Sequence, residues 1–280
     1  MQTELAELTG AFDAFLAAAC PPARVRAIEA GEAADTLWGD IEAGGWADAL
    51  VPESLGGAGL ALVEVRPLVE ACGAHALPVP LAQTFAARAE LARRGRARPH
   101  GPALLAALGP ALPAEDRQAW LAALTTAQIA GAAARVLELT IAYARERVQF
   151  GRPIGSFQAV QHQLAVMAEH TAAARMAAAI AFDAAGASGA EAVPRPDPIR
   201  AAMAKCVAGE AAAAVAAGGH AVHGAIGITA ACDLQLYTRR LIAWRTEGGS
   251  PAHAARVVGT DWWTSGATHA IDHARSRLGC

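Results

Sequence analysis

Three stretches of this 280-residue sequence carry residue types whose spacing could do chemistry. The first, Arg145 to His162, reads Arg-Glu-Arg-Val-Gln-Phe-Gly-Arg-Pro-Ile-Gly-Ser-Phe-Gln-Ala-Val-Gln-His. There a predicted helix ends in cations, turns through Gly151 and Pro153, and restarts with Gln158 and Gln161. A guanidinium, amide donors and an aromatic within a turn of one another could hold an anionic, planar ligand such as a dinucleotide. The second stretch, His220 to Thr229, is read as an apolar loop. Its Gly224 and Gly227 let the backbone come close to a ligand and offer N–H groups to phosphate. The third, Trp244 to Pro251, sets Glu247 at the end of a predicted buried helix, ahead of two glycines. A carboxylate desolvated by apolar walls suits a general base that must remove a weakly acidic C–H proton.

Each stretch also has a plain structural reading, and on residue chemistry alone these are the commoner ones. A basic helix C-terminus complements the helix dipole without any ligand. A glycine pair can simply join two helices, and a glutamate before Gly-Gly can be an exposed turn residue. His269 and His273 stand four apart, a metal-ligand spacing, but no third ligand accompanies them, so no metal is expected. The Gly-x-Ser-x-Gly elbow, the P-loop and the Rossmann Gly-x-Gly-x-x-Gly are absent.

The elements that must position these residues are helical. Aromatics are 5% of the chain, and no sustained alternation of β-branched residues suggests sheet. The expected class is all-α: an N-terminal helical domain over residues 1–94, a linker over 95–117, and a C-terminal four-helix bundle over 118–280. One helical stripe is expected from Leu5 to about Ile28, and further helices near Ala33–Glu42, Ala61–Cys72 and Leu81–Arg93. The Arg-, Pro- and Gly-rich run from Gly95 to Pro113 reads as the domain boundary, with Arg93 to Arg98 as solvated linker. Beyond it come Trp120 to about Val148, a helix N-capped by Ser156 and running to about Phe182, an exposed connection at Gly186–Pro198, Ile199 to about Ala217, and Asp233–Trp244.

Composition narrows the function classes. A hydrophobic fraction of 54% against 18% charged residues excludes a disordered chain. A formal charge of −3 gives no electrostatic reason to expect nucleic acid as a partner. The first residues are not those of a secretion signal, and no run of eighteen or so consecutive apolar residues suggests a membrane span, so a cytoplasmic location is expected. The five cysteines are scattered without a C-x-x-C pair and read as buried thiols. Alanine is abundant and Lys205 is the only lysine, a bias that looks like codon usage.

In combination and in this order, the segments resemble the acyl-CoA dehydrogenase family. The resemblance rests on Tyr143-x-x-x-Arg147-x-Gln149-Phe150-Gly151-x-Pro153-Ile154-x-x-Phe157-Gln158, then Val222-His223-Gly224-x-Ile226-Gly227, then Asp233-Leu234-Gln235-Leu236-Tyr237-x-Arg239-Arg240. Gly45-Trp46 and Val51-Pro52-Glu53-x-x-Gly56-Gly57-x-Gly59-Leu60 are similar to the family's helical N-domain. The resemblance implies an FAD-dependent enzyme introducing an α,β double bond into a CoA thioester. By position, Arg147 and Gln158 match residues that hold the FAD, typically that of a neighbouring subunit, with Gln149 and Phe150 beside them. Val222, His223 and Gly224 fall where the family's glycine loop packs along the dinucleotide. Glu247 matches the catalytic base of many members.

Three departures from the family pattern stand out. About twenty residues replace the family's middle β-domain, too few for even a small barrel. Ala221 stands where a dinucleotide-contacting glutamine is usual, and Gly249-Ser250-Pro251 replaces the usual Thr-Ser-Glu. The family includes heteromers acting on steroid side-chain CoA esters, in which two unlike subunits share each flavin, and the Asp233–Arg240 run is similar to that subgroup. A homo- or hetero-oligomer with another acyl-CoA dehydrogenase subunit is therefore expected. The alternative is a non-catalytic partner that has lost its own flavin site.

Overall fold

The computed structural model describes residues 2–183 and 195–279, and most of the connection expected at Gly186–Pro198 lies outside them. The described chain is helical apart from two paired strands of two residues each. The stripe expected to run unbroken from Leu5 divides into α1 (Gln2–Ala19) and α2 (Pro22–Glu29). Pro21 and Pro22 impose the break, because a proline disfavours helical backbone in the residue before it and carries no N–H. Helix α3 (Asp35–Ala43) stops at Gly44, and Gly45 turns the chain with a left-handed φ of 72°. That turn seats Trp46 against Phe12 at 4.8 Å between ring centroids. Helices α4 (Leu62–Ala74) and α5 (Leu81–Arg93) follow.

The run Arg93 to Arg98 is mostly exposed, as expected of a solvated linker, but the segment after α5 is tied down at several points. The Arg98 guanidinium reaches Asp48 at 2.9 Å and the Leu55 carbonyl at 2.6 Å. The Gly101 N–H donates to Glu42 at 2.9 Å, and the Ala103 N–H donates to the Thr84 hydroxyl at 3.1 Å. These bonds strap the segment along the N-terminal helices. A continuous buried core then runs from Phe12 through Trp120 to Trp244.

Helix α6 (Ala114–Glu146) begins six residues before Trp120 and is about 50 Å long at 1.5 Å per residue. It packs against α7 (Gln158–Ala181), α8 (Pro198–His223) and α9 (Leu234–Thr246), and α8 packs against α7 and α9, which makes the expected four-helix bundle. Two shorter helices, α10 (Pro251–Ser265) and α11 (Ala270–Leu278), close the described chain. Helix α4 crosses α6 where Gly73 and Gly131 meet the facing backbone. A Cβ on Gly131 would stand 1.8 Å from the Glu70 carbonyl oxygen, so only glycine permits this approach. Alanine, abundant in composition, fills much of the helix-to-helix contact, with Ala127, Ala130, Ala133, Ala208 and Ala212 fully buried.

The Glu90 carboxylate knits α5, α6 and the strand of chain leading into α8. It accepts from Arg94 at 2.6 Å, Arg195 at 2.5 and 2.7 Å, and the Trp120 indole at 3.1 Å. Burial alone would raise its pKa, but these donors hold it below the ordinary value.

Although no long run of consecutive apolar residues exists, Ala114–Glu146 and Pro198–Ile228 are long and apolar enough on average to cross a membrane. Their most apolar stretches are 72% and 44% buried within the bundle. Among the described residues Cys20 and Cys72 are buried thiols, as expected, whereas Cys206 and Cys232 are only half-buried.

Candidate functional site

The sequence-predicted residues divide between the two ends of the bundle. Helices α6 and α8 run parallel: Thr125 meets Lys205 near their starts, and Tyr143 meets His223 near their ends. The 22 residues from Thr125 to Arg147 correspond to roughly 33 Å of helix.

At the far end, Arg147 terminates α6, its N–H donating to the Tyr143 carbonyl at 2.8 Å. The next residues form a hairpin of β1 (Val148–Gln149) and β2 (Arg152–Pro153), with Gln149 paired to Arg152. Phe150 (φ 52°) and Gly151 (φ 77°) make the two-residue turn, both in the left-handed region that the type I′ hairpin turn requires. Phe150 meets Phe157 edge-on at 6.0 Å, and the Arg152 guanidinium lies 4.1 Å above the Phe157 ring. Phe150 is 91% exposed, and Arg147, Gln149 and Gln158 are exposed with it. Ser156 does not cap α7. It lies in a single 3-10 turn, Ile154–Ser156, and its hydroxyl donates back to the Pro153 carbonyl at 2.7 Å, so the helix starts at Gln158 instead.

The glycine stretch reaches the same end. His220 to His223 prove to be the last turn of α8 and not loop, because the apolar face of α8 stays packed to its end. Gly224 ends the helix with φ 63° and ψ −146°, a conformation essentially restricted to glycine, and a Cβ placed on it would meet no neighbour within 4 Å. Val222 is half-buried, while Ile226 and Ile228 of the following turn are exposed. His223 turns inward. Its ring stacks on Tyr143 at 4.4 Å, Nδ1 lies 2.9 Å from the Gly219 carbonyl, and burial pushes its pKa down. The structure thus brings Arg147, Gln149, Phe150, Gln158, Val222 and Gly224 to one end of the bundle, with the His223 ring turned inward there.

Glu247 stands at the opposite end. Half-buried, it follows α9, and its carboxylate accepts from the Gln83 side chain of α5 at 2.9 Å. The backbone here is seated on two helices, α6 and α8. Gly248 (φ 73°) lies so close to α6 that a Cβ would stand 2.6 Å from the Leu121 carbonyl carbon, and the Gln118 amide donates to the Gly248 carbonyl. From α8, the Lys205 ammonium reaches Thr125 Oγ1 at 2.6 Å, the Glu247 carbonyl at 2.7 Å and the Trp244 carbonyl.

Sequence reasoning missed Gln83 and Lys205. Nothing local marks Gln83, which reaches Glu247 only through tertiary packing. Lys205 did carry a signal, a single lysine in an otherwise apolar helical run. His269 and His273 form no metal centre: His273 lies 2.8 Å from Asp261, and no cluster of three candidate ligands occurs among the described residues.

Comparison with known proteins resolves the family. Residues 118–260 match the acyl-CoA dehydrogenase C-terminal domain, a span that holds both ends of the bundle. The chain belongs to the acyl-CoA dehydrogenase family. It is 42% identical over 144 residues to the acyl-CoA dehydrogenase IpdE2 of Mycobacterium tuberculosis, covering 51% of this chain and 42% of that one. It is also 42% identical over 119 residues to FadE34 of the same organism, covering 42% of this chain and 16% of the other. The matched part is thus less than half the length of these curated relatives. As a fold, the chain is similar over nearly all its length to a solved steroid acyl-CoA dehydrogenase, Tcur3481–Tcur3483 (TM-score 0.80, 23% identity, 96% of this chain and 99% of that one). The ChsE4–ChsE5 complex of M. tuberculosis is comparable (TM-score 0.78, 20% identity, 94% and 98%). Among the described residues the chain has the helical fold of this family without its middle β-domain.

Proposed function

We propose that this chain is one subunit of an FAD-dependent acyl-CoA dehydrogenase built from unlike subunits, which introduces an α,β double bond into a CoA thioester bearing a bulky, steroid-like acyl group. The observation that carries the reading is the exposed hairpin. A phenylalanine in left-handed backbone, 91% exposed and flanked by Arg147, Gln149 and Gln158, is half of a binding surface whose other half must come from another polypeptide. The two full-length fold matches support the choice of partner, because both are named for paired subunits, one of them a steroid enzyme.

The residues present fit a dinucleotide. Arg147 supplies a cation for phosphate, Gln149 and Gln158 supply amide donors, and Phe150 an aromatic face. Gly224 leaves backbone open to close approach, since no side chain fills the space above it. A bound flavin would supply the acceptor for a hydride leaving the β-carbon of the thioester. Glu247 lies roughly 33 Å along the bundle from the hairpin, so the dinucleotide held there belongs to a neighbouring subunit's site; Glu247 serves as base for the α-proton at the flavin seated at its own end, with Gln83 orienting its carboxylate. Residues 1–94 act as the helical N-domain, 95–117 as a strap in place of the β-domain, and 118–280 as the bundle.

The test is co-expression with a candidate partner that carries a β-domain. The expected complex is yellow and oxidises CoA thioesters with a dye acceptor; Arg147→Ala lowers its flavin content, and Glu247→Gln lowers turnover by about 10²-fold or more. Full turnover in Glu247→Gln removes that residue from the role of base. A yellow, active complex in which Arg147→Ala changes neither colour nor rate makes this chain a scaffold instead.

A further inference from the structure

The one lysine in the chain is also its most deeply committed cation. Lys205 is fully buried, and its ammonium faces three oxygens drawn from two other helices. An ammonium has three N–H donors, so each finds one acceptor and none is left over. Two of those acceptors, the Trp244 and Glu247 carbonyls, belong to the end of α9, where helical carbonyls have no partner in their own helix. The cation also sits at the negative end of the α9 dipole.

Burying an ammonium is costly, and a helix end is ordinarily satisfied by water or by a glycine turn. This helix end has the glycine turn as well: Gly248 and Gly249 both adopt left-handed φ, of 73° and 100°. The lysine is therefore redundant for ending the helix. What it adds is a fixed position for the Glu247 main chain relative to α6 and α8. We infer that Lys205 is a positioning residue for Glu247, clamping the backbone that presents its carboxylate to the substrate. The inference deepens the proposed function and rests on its assignment of Glu247 as base.

The surroundings agree. From α6 the contact is the Thr125 hydroxyl, and from the end of α9 two carbonyls, with the Glu247 carboxylate beyond them. On the side of α10, Cys206 and Gly209 meet Pro251, which brings no charge. Desolvation pulls the Lys205 pKa down to about 7, and the Glu247 charge works against that fall. The clamp and the carboxylate are thus coupled through charge as well as through the backbone.

Because no other lysine exists, a full-length chain labelled with ¹⁵Nζ-lysine gives a single side-chain signal, whose titration is read with and without Glu247→Gln. The expected result is a midpoint near 7 that falls in the variant. Amide exchange is then compared in Lys205→Met and, should that variant fold poorly, in Thr125→Val, which removes one acceptor only. Exchange should rise at least tenfold at residues 245–249, with the Phe150 hairpin unchanged. In the flavin-loaded complex, Lys205→Met should lower kcat with KM retained, and should add nothing to Glu247→Gln. Unchanged exchange at 245–249, or an unaltered lysine midpoint in Glu247→Gln, overturns the clamp. Full turnover by Glu247→Gln with the exchange result intact instead overturns only the assignment of the base and leaves Lys205 a clamp of that turn.

Discussion

The two ends of the bundle are built on opposite plans. At the Glu247 end the turn is held from inside the chain: Lys205, Gln83, Gln118 and Thr125 come from three helices, and Gly248 lies against the α6 backbone. At the Phe150 end the backbone is satisfied, by the hairpin and by Arg147 on Tyr143, but the side chains are exposed. One end is finished within this polypeptide, and the other leaves its side chains exposed. The proposed function accounts for this division, because tight packing fixes the geometry of a carboxylate while an exposed surface keeps an interface free.

The largest effect that would break the comparison is expected at Gly248. Replacing it by alanine sets a Cβ against the Leu121 backbone and forces a left-handed conformation, so Gly248→Ala should cost about 2–4 kcal/mol in urea unfolding. A cost near zero would mean that the turn is not seated on α6 as described.

The second effect is one of pH. Lys205 titrates at about 7 when folded against an ordinary value of 10.5, so between these limits the unfolded chain binds more protons than the folded one. The contribution of this group to stability is lowest below pH 7 and rises as pH climbs from about 7 towards 10.5, with a limiting slope of about 1.4 kcal/mol per pH unit. The difference in unfolding free energy between the native chain and Lys205→Met, followed upward from pH 7, should carry that slope. A flat difference would place the amine in water.

The smallest effect on stability is expected at the exposed end, where it sharpens the contrast. Phe150-Gly151 occupies a turn that asparagine-glycine makes best, so Phe150→Asn should leave the isolated chain unchanged or stabilise it by up to about 1 kcal/mol. The same variant should weaken assembly with the partner tenfold or more, read by sedimentation. A variant that assembles normally would remove Phe150 from the proposed interface.

Much of the architecture is legible in the sequence. Apolar spacing gives the bundle helices, and Leu81–Arg93 matches its expected bounds, because amphipathic periodicity is a local property of helices that pack on one face. The bonds that strap the segment after α5 are not legible in the sequence, for the opposite reason. Its partners, Glu42, Asp48 and Thr84, lie far back in the chain, and a run of arginines, prolines and glycines looks the same whether or not distant carboxylates wait for it. Ser156 fits the sequence rule for an N-cap, but the turn set by Pro153 spends its hydroxyl elsewhere.

The sequence by itself determined the helical class, the family and the identity of the residues that could do chemistry, since these depend on residue type and short-range spacing. Tertiary structure alone decided that those residues stand at two ends of one bundle, that His223 turns inward onto Tyr143, and that a single lysine holds the turn carrying Glu247. Helix direction and the meeting of side chains from α5, α6, α8 and α9 arise from contacts between residues up to 164 positions apart, and no local pattern encodes them.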